Sequence, residues 1–466
     1  MKKEDLYRAM DGIEDNMLEE AEKTPVMHGA MYRRILTGVG VMAAVLLMVM
    51  NLPFRGAGSA APDGAQEEAA VEASDAVTED AGESEMKYET EYNTPAEARE
   101  YSTDESFYAK TLFLIDSPYE NRLISPLNLY NAFSLLAECT AGETRQEILD
   151  TLGVPSVEEL RIQNAERYAA NNVQQEELTS QTANSVWLSD AYMYNDEALD
   201  SLRNYYHADV TTGTMGSGQM DGALQSWLNE HTGDLLQESV SRVKLPPETV
   251  LSLASALYYK ASWTELFQEE LTTDVFHAPG GDEQITYLAR TDDGGTLYSS
   301  DVFTAVCLPL SGGGDVWVYL PEEGYSTADV LHSQDALRLV NGETTCETET
   351  GDLHIRIPEF DVTCDTSLLD ALPVLGITHV LETGADFTPI TDESLVLSSI
   401  QHAARFMAEE EGVTGAAYTV MVFETAVQDP EEHKDLYFTA DRPFVFFVTG
   451  SDGSLLFAGT VNEPVQ

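Results

Sequence analysis

The pattern of apolar and polar positions divides the chain into four stretches. Residues 4–22 carry apolar side chains at helical spacing and acids on the opposite face, which predicts a short solvated helix or a partner site. Residues 35–54 contain no charged side chain, whereas residues 55–104 are rich in Ala, Glu, Gly, Ser and Asp. From residue 105 onward, helical and strand periods alternate up to the C-terminus. The predicted organisation is a tail at 1–34, an apolar segment at 35–54, a disordered acidic linker at 55–104 and a folded domain at 105–466.

The uncharged stretch at 35–54 is long enough to cross a membrane. As a helix it spans about 30 Å, the thickness of a bilayer core. Two arginines precede it, and no basic residue lies between Arg55 and Lys87, so the positive-inside rule places residues 1–34 in the cytoplasm. A signal peptide cleaved near 58–61 is the alternative. The predicted location is a single-pass cell membrane protein with a cytoplasmic N-terminus and an extracellular folded domain.

Within the folded part, the same periods predict individual elements. Leu129, Phe133 and Leu136 indicate a buried helix face, and a further helix at 145–152 ends before a Gly-Val-Pro stop. Residues 156–180 are polar and are predicted to be helical. The remaining predicted elements are a helix at 222–236 and strands at 303–309, 315–320 and 353–360.

A second uncharged stretch lies near the C-terminus. Residues 413–422 are small or β-branched, which is the composition of a strand. With a period of two, every second residue from Val413 to Phe423 shares one face, and that face becomes larger along its length. Gly412 precedes the stretch, and Asp-Pro turn chemistry follows it. The pattern predicts a spare strand that is held outside a sheet.

The formal net charge of -57 excludes several classes of partner. A protein that binds nucleic acid or an acidic membrane surface needs clustered Lys and Arg to neutralise phosphates. A large charge of one sign instead favours solubility and self-repulsion. The four cysteines are too few and too far apart for a disulfide scaffold or a zinc site, although a bridge between Cys346 and Cys364 stays open. We therefore expect no nucleic-acid partner and no metal.

Catalytic motifs are missing from the sequence. It contains no G-x-S-x-G, H-E-x-x-H or Walker motif. The nine histidines are scattered, and His231, His277, His354 and His379 have no Cys or His neighbour at ligand spacing. A Ser-His-Asp triad assembles in space and leaves no local pattern, so it stays open. The sequence favours a protein that is not an enzyme and holds no cofactor.

Several sequence blocks follow one another in a characteristic order. The C-terminal block has an acidic pair, Gly412, a run of small residues and an Arg-Pro-Phe strand start at 442–444. The other blocks are 124–128, 142–149, 182–187, 253–260 with Trp263 behind it, 276–277, 384–387, 401–403 and 455–461. In this order they resemble the serpins, a family of serine protease inhibitors, and the resemblance covers about 105–466.

The resemblance implies an α+β serpin fold, with three β-sheets, eight to nine helices and an exposed reactive centre loop. It also implies suicide inhibition. A target protease attacks the loop as a substrate and forms an acyl-enzyme. The cut loop then inserts into the main sheet as a new strand and distorts the protease, so that deacylation stalls. The native state is kinetically trapped, and its relaxation drives the insertion.

The resemblance implies a hinge at the start of the loop. Its residues are Glu410, Glu411, Gly412, Val413, Thr414, Gly415, Ala416 and Ala417. The side chains that would face inward include no charge and no proline, which suits insertion. Val413 replaces the family's usual Thr or Ser and suits a strand, whereas Gly415 replaces an alanine and is expected to weaken insertion slightly.

Counting from the hinge at the family's usual spacing places the reactive bond at Ala426–Val427, with a register that can slide within 423–429. Ala426 implies elastase-like or subtilisin-like targets. Phe423 would imply a chymotrypsin-like target, and Glu424 a glutamate-specific one. No Lys or Arg occurs between positions 413 and 433, so we expect little inhibition of trypsin-like proteases.

The resemblance also implies a polar cluster, the shutter, under the middle of the main sheet. Its implied members are Ser125, Asn128, Ser255 and His402. The family usually has Ser where Asn128 stands and Asn where Ser255 stands, so we hypothesise a swap that keeps the buried network satisfied. The alternative is that His402 is an ordinary core histidine. Trp263 is the implied breach residue.

The implied partners are serine proteases, and the protein is expected to be a monomer. Arg161 and Arg167 are the only basic residues in 156–180, where polyanion-activated serpins carry a basic helix, so we expect no heparin-like polyanion partner. Membrane contact is expected through residues 35–54. Two alternatives from other classes stay open, a non-inhibitory serpin-fold binding module and a membrane sensor in which loop cleavage signals to residues 1–34.

Overall fold

The computed structural model describes residues 42–51, 107–343, 346–410 and 434–464. In these ranges the chain forms ten α-helices and sixteen β-strands. The helices are α1 Phe107–Leu112, α2 Pro126–Cys139, α3 Gly142–Leu152, α4 Val157–Ala170, α5 Asp196–Tyr206, α6 Gly218–His231, α7 Gln237–Arg242, α8 Thr327–Leu331, α9 Gln334–Val340 and α10 Leu372–Leu375. The strands are β1 Met42–Asn51, β2 Arg122–Ile124, β3 Val173–Gln174, β4 Leu178–Ser189, β5 Ala208–Gly213, β6 Thr249–Ala261, β7 Gln268–Ala278, β8 Gly281–Ser299, β9 Phe303–Pro309, β10 Asp315–Pro321, β11 Glu347–Pro358, β12 Phe360–Ser367, β13 Val396–Ala408, β14 Asp435–Thr439, β15 Phe444–Thr449 and β16 Leu455–Val461.

The main sheet has seven strands in the order β12-β13-β1-β6-β4-β3, with β5 paired to β4. At its centre, β1 lies between β13 and β6 and runs antiparallel to both. Helix α6 covers one face, where Leu224 and Leu228 belong to the same apolar cluster as Ala254 of β6 and Ala403 of β13. Strand β6 is buried on both faces along most of its length, which explains why it is mostly apolar, whereas several positions of β13 are half-buried and polar.

The second sheet has nine strands in the order β14-β11-β8-β9-β10-β15-β16-β2, with β7 paired to β8. Strand β8 joins two parts of this sheet, because only Tyr298 and Ser299 at its end pair with β9. The four strands β14, β11, β8 and β7 thus form one part, and the remaining five form the other. Together with the main sheet, these parts correspond to the three sheets that the sequence predicted, and the α+β fold is confirmed.

Helix α2 lies between the two sheets and positions the candidate site. All 14 of its residues are buried. Ser125 caps its N-terminus by accepting a hydrogen bond from the backbone N–H of Asn128, and Pro126 occupies the first turn, where no intrahelical N–H bond is needed. The core around α2 includes Leu253 of the main sheet and Phe447 of the second sheet. The helix therefore holds its first turn against the middle of the main sheet.

The predicted membrane helix is wrong. Residues 42–51 form strand β1, and residues 35–41 and 52–54 lie outside the described ranges. Among the residues that the structure describes, no helix has the length and apolar character needed to cross a membrane. The predicted single-pass location with an extracellular domain is wrong for the same reason. A strand that is buried on both faces is as uniformly apolar as a membrane helix, so composition alone does not separate the two.

The other predicted elements match more closely. The strands predicted at 303–309 and 315–320 are confirmed as β9 and β10, and the helix predicted at 145–152 is the C-terminal part of α3. The helix predicted over 156–180 is too long, because α4 ends at Ala170 and β4 begins at Leu178. The strand predicted at 413–422 lies outside the described residues.

Candidate functional site

The candidate site is the place of β1 in the main sheet, between β6 and β13, which we call the central slot. Leu46 lies opposite Ser255 of β6 on one side and opposite His402 of β13 on the other. Paired residues of antiparallel strands direct their side chains to the same face. Leu46, Ser255 and His402 therefore form one row across the sheet, and this row faces the first turn of α2.

Ser125 and His402 are joined at this row. The backbone N–H of Ser125 donates a hydrogen bond to Nε2 of His402 at 3.2 Å, and both residues are fully buried. Because Nε2 accepts this bond, the proton of the neutral imidazole is on Nδ1. The N-terminus of α2 is thus tied to the strand on one side of the central slot.

Asn128 and Ser255 are joined on the other side. The hydroxyl of Ser255 donates to Oδ1 of Asn128 at 2.6 Å, and Nδ2 of Asn128 donates to the carbonyl oxygen of Ser255 at 3.2 Å. Both residues are fully buried. The Asn128 amide is therefore paired with both the hydroxyl and the backbone carbonyl of Ser255, as the hypothesis of a swapped pair expects.

Burial determines the protonation state of His402. Desolvation lowers the pKa of its imidazole to about 4, because the charged form loses its hydration in the core. The Nδ1 atom has no hydrogen-bond acceptor in the structure. The neighbour of His402 on β1 is Leu46, whose apolar side chain lies between His402 and Ser255. His402 is therefore neutral at pH 7 and carries a buried N–H donor without an acceptor.

Trp263 holds the end of β13. Its indole Nε1–H donates to the carbonyl oxygen of Glu409 at 2.9 Å, one residue beyond the last residue of β13. The ring is 3% exposed and packs edge-to-face on Phe267, with ring centroids 5.6 Å apart. Trp263 thus determines where the chain leaves the main sheet on its way to the predicted loop.

A family model described as Serpin (serine protease inhibitor) matches residues 108–464. The match covers both sheets except for β1, and it includes Ser125, Asn128, Ser255, Trp263 and His402. The chain belongs to the serpin family. Serpins are in general inhibitors rather than catalysts, and the description of the family names serine proteases as what they inhibit.

Curated relatives of this serpin come from distant organisms. Serpin-Z10 of Arabidopsis thaliana is 26% identical over 365 residues, which cover 74% of this chain and 92% of the relative. An uncharacterized serpin-like protein of Methanosarcina mazei is 23% identical over 368 residues, which cover 77% of this chain and 84% of the relative.

Solved structures agree with the fold of this serpin. Thyroxine-binding globulin in complex with thyroxine is similar with a TM-score of 0.63 and 20% identity, over 77% of this chain and 97% of that chain. The thermophilic serpin tengpin in its native state has a TM-score of 0.64 and 20% identity, over 77% of this chain and 92% of that chain. At these identities the likeness concerns the fold alone.

The chain of this serpin returns at Lys434, next to β14 at the edge of the second sheet. The backbone N–H of Asp352 donates to the carbonyl oxygen of Lys434 at 3.0 Å. A Cβ at Gly351 would collide with the same carbonyl oxygen, so the close approach of the two backbones requires glycine there. Residues 411–433 therefore connect one anchor at the end of β13 to a second anchor in the other sheet.

The structure places the predicted site residues of this serpin in two groups. The four residues predicted for the shutter, Ser125, Asn128, Ser255 and His402, converge around the first turn of α2, and Trp263 lies at the end of β13. Glu410 directly follows the same anchor. The rest of the predicted hinge and the predicted reactive bond, 411–417 and 426–427, lie outside the described residues.

Sequence reasoning missed the residues that occupy the central slot. Leu46, Leu47 and Met48 are at most 2% exposed and belong to the apolar clusters on the two faces of the main sheet. In the sequence they lie in the stretch that predicted a membrane helix. The alternation of their contacts between the two faces is a property of the strand, and an unbroken apolar run does not reveal it.

Among the ranges that the structure describes, no group of three or more His, Cys, Asp or Glu side chains is arranged to hold a metal ion. The four cysteines are free thiols, so Cys346 and Cys364 are not bridged.

Proposed function

We propose that this serpin is a suicide inhibitor of serine proteases that traps its target as a covalent acyl-enzyme. The observation that supports this most is the pair of anchors. The chain leaves β13 at Glu409 under Trp263 and re-enters the second sheet at Lys434. Between these anchors, residues 413–423 have strand composition and contain neither a proline nor an acidic side chain. A segment that directly follows β13 runs antiparallel to β13 when it pairs with it.

The proposed reaction begins as ordinary proteolysis. The serine hydroxyl of the target loses its proton to the protease's own base and attacks the carbonyl carbon of Ala426. The peptide bond to Val427 breaks, and the amine of Val427 leaves with the proton. An ester then joins Ala426 to the protease. Insertion of the preceding segment as a strand moves the protease away and distorts its oxyanion hole, so that water does not complete the hydrolysis.

The proposed targets follow from the residues near the reactive bond. Ala426 favours an elastase-like or subtilisin-like protease, because a small side chain fits a small specificity pocket. A shift of register to Phe423 would favour a chymotrypsin-like target, and a shift to Glu424 a glutamate-specific one. We propose the bond at Ala426–Val427.

The test is incubation of the full chain with an elastase-like protease, followed by denaturing electrophoresis and mass analysis. We expect a complex that survives denaturation and a released peptide that begins at Val427. In the matched variant Ala426→Arg, complex formation shifts from the elastase-like protease to trypsin. Complete cleavage at this bond without any covalent complex, for the wild type and for Ala426→Arg, would refute the inhibitory function.

A second candidate function is a non-inhibitory binding module with the serpin fold. The observation that favours it is the occupied central slot, because β1 already pairs with both β6 and β13. In a module of this kind, cleavage at 426–427 leaves the melting temperature unchanged. In the inhibitor, the cleaved chain melts at a higher temperature, since a strand has been added to the sheet.

We also propose that the protein is a monomer without a polyanion partner. Arg161 of α4 pairs with the carboxylate of Glu138, and the Arg167 guanidinium lies over the ring of Tyr130 at 4.0 Å. Both cations of α4 are therefore engaged inside the fold, which leaves little positive charge to attract a sulfated chain. Light scattering and an inhibition assay with added heparin test these two points.

A further inference from the structure

Strand β1 has an unusual origin for a central strand. The family match begins at residue 108, whereas β1 spans Met42–Asn51 and lies far upstream of it. It nevertheless occupies the middle of the main sheet and pairs along its length with β6 and β13. A segment outside the family's own domain therefore fills the central slot.

The side chains of β1 match both faces of the central slot. Leu46 and Met48 are fully buried on the side of α2, in the same cluster as Leu253. Leu47 is 2% exposed on the opposite side, in the cluster that contains Leu224 of α6. The occupant of the slot is thus an uncharged strand with large apolar side chains on both faces, running antiparallel to its two neighbours.

Strand β1 also excludes a competing strand. The edge of β13 that faces away from the slot is taken by β12, which pairs with it from Phe360 to Ser367. The other edge is taken by β1. A strand has only two edges, so the chain that continues beyond β13 can add beside it only after β12 or β1 has left. Strand β12 lies inside the family match, whereas β1 lies outside it and is joined to it through residues 52–106, so β1 is the neighbour whose departure keeps every strand of the matched region in place.

We propose that residues 42–51 are an internal ligand of the central slot, and that trapping of a protease by this serpin requires β1 to leave the slot first, which slows trapping by about tenfold. The regulatory half of this inference rests on the proposed inhibitory function. Release of β1, by a competing apolar strand or by cleavage upstream of α1, opens the slot between β6 and β13. Residues 42–51, which the sequence alone predicts to lie in a membrane helix, then regulate the trapping of proteases by the same chain.

Hydrogen–deuterium exchange of the full chain tests the occupation without any protease. We expect the amides of 46–50 to be protected in the wild type and to exchange freely in Leu46→Lys/Met48→Lys, because two ammonium groups do not fit the apolar slot. The control is Leu266→Lys/Val374→Lys, which adds the same charge at positions that are 57% and 52% exposed. Unprotected amides at 46–50 in the wild type would overturn the assignment.

A reversible disulfide between β1 and β13, which we call the lock, tests the regulation and does not depend on how well the charged variant folds. Leu47 and Gln401 are paired across β1 and β13 and line one cavity of about 550 Å³ beside α7, which gives an oxidant access. In Leu47→Cys/Gln401→Cys, we expect oxidation to cross-link the pair within one chain and reduction to release it. The two single variants are the controls.

The outcomes separate the two proposals. If trapping of the protease rises by about tenfold or more when the lock is reduced, or in the lysine pair Leu46→Lys/Met48→Lys, the result supports regulation by β1. Equal trapping by fully cross-linked and reduced protein overturns it, and a disulfide-linked dimer overturns the internal origin of the strand. If β1 is protected and the lysine pair frees it, but the freed chain is cleaved without a complex, the inhibitory function fails while the slot assignment stands.

Discussion

Removal of the Asn128 side chain tests the buried pair beside the central slot. Asn128→Ala deletes two hydrogen bonds to Ser255, one of 2.6 Å and one of 3.2 Å. Each contributes about 1 kcal/mol, and the buried hydroxyl left without its acceptor adds about 1–2 kcal/mol, so the free energy of unfolding is expected to fall by about 3–4 kcal/mol. For a folded part of this size that corresponds to about 1–2 °C of melting temperature per kcal/mol.

The assay is a double-mutant cycle with Ser255→Ala, measured by denaturant unfolding of the full chain. Asn128→Ala leaves the Ser255 hydroxyl unpaired and Ser255→Ala leaves Oδ1 of Asn128 unpaired, whereas the double variant contains neither of these side-chain atoms. We therefore expect the double variant to be more stable than the sum of the two single losses predicts, by about 1–2 kcal/mol. Additive losses, or no loss in Asn128→Ala, would refute the reasoning that these two residues satisfy each other.

Three further predictions concern the rest of the site. Burial lowers the pKa of His402 from its ordinary value to about 4, so the contribution of the neutral imidazole to the free energy of unfolding is complete above pH 6.5 and is lost as the pH falls toward 4. In a denaturation series over that range, the difference in unfolding free energy between wild type and His402→Gln should change by about 3 kcal/mol. Trp263→Phe removes the hydrogen bond to the end of β13, and we expect a loss of about 1 kcal/mol and faster amide exchange in the last residues of that strand. Gly351→Ala introduces a clash with the Lys434 carbonyl and should lower the unfolding free energy by about 1–3 kcal/mol, whereas Gly384→Ala, whose Cβ would meet nothing within 4 Å, should leave the same measurement nearly unchanged.

Much of the fold could be predicted because its signals are local or arrive as ordered blocks. The strands at 303–309 and 315–320 show their period directly, and the helix around Leu129 and Phe133 shows a buried face. The blocks around Ser125 and His402 indicate the family without any knowledge of contacts. Boundaries were less predictable, because the polar residues that follow Ala170 carry no period that separates a helix end from a short strand.

The candidate site was predicted only in part. The sequence named the polar residues of the shutter, and it also supplied the hypothesis that Asn128 and Ser255 exchange roles. It contained no information that an apolar side chain, Leu46, lies between His402 and Ser255, because that placement depends on a strand from far upstream. The role of Trp263 at the Glu409 carbonyl likewise depends on a contact between residues distant along the chain.

The sequence by itself determined the family, the α+β class and the uncharged character of residues 42–51. Only the tertiary structure decided what that uncharged segment does. An apolar run is equally stable as a membrane helix or as a strand buried on both faces, since either environment removes it from water and satisfies its backbone hydrogen bonds. The outcome depends on whether two strand edges are available to pair with it, and those edges, on β6 and β13, come together only in the folded chain.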